Sequence, residues 1–167
     1  MQGIIEIQMD KYLCQFMRGL LRAKGEIVEL KREHWFSNVI YDSMAVVPED
    51  CVFQPREIPD KGKLKLGIET IGGRNAPRKY AVYHYYLPHS KQVLIERYVR
   101  DYMGNLLCVF IGLGEDKTSE EIKNLIDRFC QVYGIDFGRF YETLKKKYYR
   151  FRRQYDFPLF STQLSPE

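Results

Sequence analysis

The sequence predicts an α+β fold, a small N-terminal sheet with two helices joined to a C-terminal three-helix unit. Three observations carry that prediction. Apolar and polar residues alternate over residues 3–9 and 63–71, the period of a half-buried strand. From Ser90 onward the apolar residues recur at helical spacing, between cap and stop signals. A hydrophobic share of 45% and an aromatic share of 14% over 167 residues suit a globular core and exclude a disordered tail as the main identity.

The first strand sets Ile5, Ile7 and Met9 on one face. Asp10 then stands as N-cap of a helix that carries Tyr12, Leu13, Phe16, Met17, Leu20 and Leu21 at helical spacing and stops at Lys24-Gly25. A short strand follows over 26–31, then a helix over about 32–46 with Trp35 and Val39 on its two faces. Pro48, Pro55 and Pro59 make the next stretch irregular. A third strand over 63–71 aligns Leu64, Leu66, Ile68 and Thr70, and a fourth over 80–87 is extended by its aromatic content and stopped by Pro88.

Ser90 is placed to cap a long helix ending at about 109–111. Its Leu94, Ile95, Tyr98, Val99, Tyr102, Met103, Leu106, Leu107 and Phe110 predict a central core helix. Thr118 and Glu121 form a capping box for a helix that Gly134 closes, and Asp136 caps the last helix. The chain thus divides into a mixed part over 1–89, a helical part over 90–155 and a tail over 156–167. One compact body is expected, because the helix from Ser90 is too apolar to stand alone.

Net charge is +4, and its distribution matters more than its size. Residues 137–155 hold seven cations (Arg139, Lys145, Lys146, Lys147, Arg150, Arg152, Arg153) against the single acid Glu142, while residues 1–136 sum to zero. A positive excess confined to one short segment is the electrostatic footprint of a surface that meets a polyanion.

At 100° per residue, Phe137, Phe140, Tyr141, Leu144, Tyr148, Phe151 and Tyr155 fall in one stripe of the last helix. Arg139, Lys146, Arg150 and Arg153 lie opposite, and Lys145, Lys147 and Arg152 flank the boundary. A plain solvated face is the competing reading, but such faces mix signs, and here like charges repel unless a phosphate backbone or salt relieves them. A capped helix, a Gly134 turn and a basic helix also have the layout of a helix-turn-helix, in which Arg139, Thr143 and Lys146 would face the groove. Any helical hairpin shares that layout. Most of the cations lie in the second half of the helix, which favours phosphate contact over base readout.

The stretch from Thr118 to Tyr155, with its pattern "F…YGI…LKKKY.R.R", resembles the C-terminal end of helix-turn-helix DNA-binding proteins of bacterial phages and other mobile elements. The resemblance implies a small cytoplasmic protein, acting in transcription regulation or as a replication accessory, with DNA contact at the positions above.

A second basic patch, Arg74, Arg78 and Lys79, precedes the aromatic run Tyr80 to Tyr86. Exposed aromatics of that kind stack single-stranded bases, although tyrosine is also simply a favoured strand residue. His84 and His89 lack a third metal ligand, and their spacing does not match the tight histidine pair of tyrosine nucleases. Lys117-Thr118 lacks the glycine that a phosphate loop needs before its lysine. There is no Gly-x-Ser-x-Gly elbow, and Pro59-Asp60 with Glu69 lacks the lysine of a metal nuclease. Cys14, Cys51, Cys108 and Cys130 lie far apart and read as reduced, mostly buried thiols.

The expectation is therefore a non-enzymatic, cytoplasmic DNA-binding accessory or regulatory protein without cofactor or metal, holding duplex DNA with weak sequence selectivity. No run approaches the roughly 18 apolar residues of a membrane span, so no membrane partner is expected. The alternative is an interaction or assembly module, in which the basic ridge docks on an acidic partner or the helices form a homodimer.

Overall fold

The alternating residues 3–9 become β1 (Gln2–Met9), with Ile5, Ile7 and Met9 buried against the helices. The structure, a computed structural model, describes residues 2–31, 34–46, 57–69, 85–112 and 117–155. After β1 come α1 (Lys11–Leu20), β2 (Ile27–Glu29), α2 (Trp35–Ser43), β3 (Ala45–Val46), β4 (Gly62–Glu69) and β5 (Tyr85–Tyr86). Three longer helices complete the chain: α3 (His89–Ile111), α4 (Ser119–Tyr133) and α5 (Phe137–Tyr155). This is the α+β arrangement that the residue pattern predicts.

The main sheet has the order β1-β4-β2, with β4 antiparallel to β1 and parallel to β2. Leu64, Leu66 and Ile68 of β4 join Ile5, Ile7 and Met9 on the buried face. The open face is crossed by ion pairs from Lys63 to Glu6 and Glu57, and from Lys65 to Glu26. Such exposed pairs contribute little to stability but keep the face polar. One continuous core reaches from this sheet through α1 into Met103 and Leu107 of α3, Ile126 and Phe129 of α4, and Leu144 and Tyr148 of α5.

Several expected boundaries move. The second helix begins at Trp35, with His34 Nδ1 accepting from Phe36 N at 3.2 Å, and it stops at Ser43. Ala45–Val46 is instead a strand paired with β5, so long-range pairing overrides the helical pattern there. The long helix starts one residue before Ser90, because the Pro88 carbonyl already accepts from Lys91 N and Gln92 N. Nor is that helix buried all round. Ile95, Val99, Met103 and Leu107 face the core, whereas Leu94, Tyr98 and Phe110 are exposed. Trp35 fills part of the α2–α3 junction, its ring 5.5 Å from Tyr98 and 4.9 Å from Tyr102.

Two glycines mark where helices touch. A Cβ on Gly19 of α1 would lie 2.0 Å from the Tyr133 carbonyl oxygen of α4, and one on Gly104 of α3 would lie 2.4 Å from the Phe151 ring of α5. Gly104→Ala should therefore lower stability by about 1–3 kcal/mol through overpacking. A double-mutant cycle by thermal melting should find a much smaller penalty in a Phe151→Ala background, where the obstructing ring is gone. Equal penalties in both backgrounds would mean that the helices part elsewhere.

Candidate nucleic-acid interface

The basic helix is set by local chemistry that the sequence displays. Thr118 and Glu121 form the reciprocal capping box at the start of α4, with Glu121 N 3.2 Å from Thr118 Oγ1 and Thr118 N 2.7 Å from Glu121 Oε2. Gly134 ends α4 in the left-handed conformation at φ 66°, where a side chain would be strained. Ile135 N then donates to Cys130 O at 2.9 Å, and the Ile135 side chain is buried. Asp136 Oδ1 accepts from Arg139 N at 3.1 Å and so caps α5, while Gln15 Oε1 of α1 accepts from Asp136 N at 2.9 Å. The turn is thereby tied to a helix more than a hundred residues earlier in the chain.

From that anchor α5 presents the stripe as expected as far as Phe151, while the Tyr155 side chain lies outside what is described. Leu144, Tyr148 and Phe151 are buried, and Phe137, Phe140 and Tyr141 are half-buried beside them. Phe140 lies 5.9 Å from the Tyr12 ring, and the Cys108 thiol of α3 reaches the Tyr148 carbonyl. The Tyr148 hydroxyl is buried without a hydrogen-bond partner among the described residues.

On the other side Arg139, Lys146, Arg150 and Arg153 are exposed. None of the four forms an ion pair with a described residue. Spaced along the fifteen residues 139–153, they span about 21 Å of one helix face. Thr143 is half-buried, as are Lys145, Lys147 and Arg152. Lys145 Nζ sits 5.5 Å from the Tyr141 ring centroid, and Lys147 Nζ sits 5.4 Å from that of Tyr12. Burial, and then the nearby Arg100 and Arg150 cations, lower the Lys147 ammonium's pKa. Lys147 is thus directed toward α1 rather than straight outward. Arg74, Arg78 and Lys79, with the aromatic residues 80–84, lie outside the described residues.

Beneath Lys147 is a charge network that sequence reasoning missed. Lys61 Nζ lies 2.7 Å from Asp10 Oδ1 and 2.6 Å from Glu96 Oε1. Arg100 Nη2 lies 3.1 Å from Asp10 Oδ2 and 2.9 Å from Glu96 Oε1, and Tyr12 Oη donates to Asp10 at 3.2 Å. Asp10 does precede α1, but its side chain makes no cap bond there, because two cations hold both of its oxygens. Glu96 accepts from Asp10 N instead. The only local signal was an acid at i, i+4 to Arg100, which also describes any exposed helix pair.

Burial alone would raise the Asp10 carboxyl, but Lys61 and Arg100 outweigh it and hold it below its ordinary 3.8. A carboxylate with a depressed folded pKa stabilises fully above its unfolded value and loses that contribution as pH falls through the folded one. Thermal melts below about pH 4 should therefore decline more steeply for the wild type than for Asp10→Asn, which starts less stable at neutral pH. Parallel declines would show that the Asp10 charge is not linked to folding.

Burial pushes the Cys14 and Cys108 thiols up to about 11 and Cys130 to about 12. All three are unbridged and protonated at neutral pH, which makes them poor nucleophiles. Cys51 lies outside the described residues. Among the described residues no three His, Cys, Asp or Glu side chains gather as a metal site, and no helix is long and apolar enough to cross a membrane. No known protein family, curated protein or solved structure matches this chain.

Proposed function

We propose that the protein is a non-enzymatic DNA-binding factor, an accessory or regulator belonging to a mobile element, that holds duplex DNA by its phosphates through α5. The observation that carries this reading is the exposed row Arg139, Lys146, Arg150 and Arg153, which lacks ion pairs among the described residues. Four like charges on one face repel one another, and a phosphate backbone offers them partners in matching single file. Base readout plays a small part, because groove-reading helices use their first turns, and there only Arg139 is both cationic and exposed, with the acid Glu142 beside it. Lys145, Lys147 and Arg152 add charge from the flanks.

Gel-shift titration of random duplex at two salt concentrations tests the proposal. Salt-sensitive binding, in the range of about 10⁻⁶ to 10⁻⁴ M typical of non-specific contacts, is expected for the wild type. It should be abolished by Lys146→Glu/Arg150→Glu/Arg153→Glu. Absence of binding at low salt would refute the reading. The alternative, a homodimer formed through the helices, draws support from Leu94, Val109 and Val132, which are 58%, 67% and 61% exposed. A dimer by light scattering, together with no affinity for duplex, would favour it.

A further inference from the structure

A groove of about 950 Å³ runs between the end of α1 and β2, and no residue of the basic helix lines it. Its apolar side is formed by Leu20, Leu21 and Ile27, the last 40% exposed. Its polar rim carries Arg22, Lys24 and Lys31 against the single carboxylate Glu29. Those three cations are exposed and form no ion pair with a described residue.

The groove borders β2, which is an edge strand among the described residues. Among the described residues β2 pairs on one side only, with β4. Val28 and Leu30 turn into the core, so the strand is fixed in register while Ile27 and Glu29 face outward. An edge of this kind presents unpaired N–H and C=O groups to any extended chain that comes beside it. The opposite wall is braced. Arg18 donates to the Glu26 carbonyl at 2.8 Å and to that of Gly25, Ala23 N bonds Arg18 O at 2.9 Å, and Gly19 is pressed against α4. A preformed groove loses little conformational freedom when it is filled.

We propose that this groove captures an extended peptide segment of a partner protein, with alternating acidic and apolar side chains, which adds a strand beside β2. The backbone edge selects a peptide over a nucleic acid, since a phosphate chain has no alternating N–H and C=O to pair with it. The cations select acidic side chains, and Leu20, Leu21 and Ile27 receive the apolar ones. At about 3.3 Å per residue the three-residue strand spans about 10 Å and matches about three paired residues of such a segment. This mode is strand addition, in which main-chain bonds supply affinity and side-chain contacts supply specificity. The proposal is independent of the DNA-binding role of α5.

A fluorescein-labelled heptapeptide of alternating Glu and Val is the probe, read by fluorescence anisotropy against the full chain. Saturable binding is expected, at least tenfold weaker for Arg22→Asn/Lys24→Glu/Lys31→Glu and unchanged for Lys146→Glu/Arg150→Glu/Arg153→Glu. Asparagine is chosen at residue 22 because Arg22 holds a positive φ of 50°. A peptide N-methylated at alternate residues, unable to pair along the edge, should bind at least tenfold more weakly. In the wild type, peptide should slow amide hydrogen exchange at Ile27–Glu29. The proposal is overturned by absence of saturable binding, by equal affinity of the methylated peptide, by loss of binding on the α5 substitutions instead, or by unchanged exchange in β2.

Discussion

Neutralising the exposed row of α5 one residue at a time should flatten the salt dependence of duplex binding stepwise. Four phosphate contacts give a slope of about −3.6 for log affinity against log salt, since each contributes about −0.9. Between 50 and 200 mM salt that amounts to a loss of about 150-fold. Arg139→Ala, Lys146→Ala, Arg150→Ala and Arg153→Ala should each bring the slope about 0.9 closer to zero. Lys147→Ala should change it less, because Lys147 lies over the Tyr12 ring and is half-buried. The affinity lost should be nearly the same on unrelated sequences, as expected when phosphates rather than bases are held. A Lys147 effect as large as that of Lys146, or a strong sequence dependence, would point to a different docking face.

Gly19→Ala should cost more stability than Gly104→Ala, since it meets backbone rather than a side chain. The new methyl would meet the Tyr133 carbonyl oxygen at 2.0 Å, and the atoms behind it are backbone of the last turn of α4. A side chain can rotate away from such a contact, whereas a helix end must translate. Alanine gains at most about 1 kcal/mol of helix propensity over glycine, and overpacking against fixed backbone costs about 3 kcal/mol or more. For a chain of this length the net loss lowers Tm by roughly 4–12 °C. The displaced α4 end would also move the Gly134 turn and the start of α5, so duplex affinity should fall with stability. An unchanged Tm would mean that α1 and α4 are not in contact at Gly19.

The α4–α5 hairpin was legible in the sequence because its determinants are local. The Thr118–Glu121 box, Gly134, Asp136 and the apolar stripe all lie within a few residues of the structure they specify. The Asp10 network was not legible, since Lys61, Glu96 and Arg100 lie 51, 86 and 90 positions from Asp10. The same limit hid the pairing of Ala45–Val46 with β5 and the parallel placement of β2 on β4. The exposure of Leu94 and Tyr98 escaped for another reason. Apolar content shows that a helix can be buried, but only its neighbours decide which sides are. For the basic helix, the pattern identified both faces, and the coordinates added that Lys145 and Lys147 lie over tyrosine rings.

The chain has a single tryptophan, and it stands at the junction of α2 with α3, next to His34 of the groove wall and apart from the cationic row. Red-edge excitation therefore gives an intrinsic optical probe beside the groove wall. Emission should shift when that wall gains a neighbour and stay constant when a polyanion engages the α5 row, so one unlabelled sample separates the two events in a single titration.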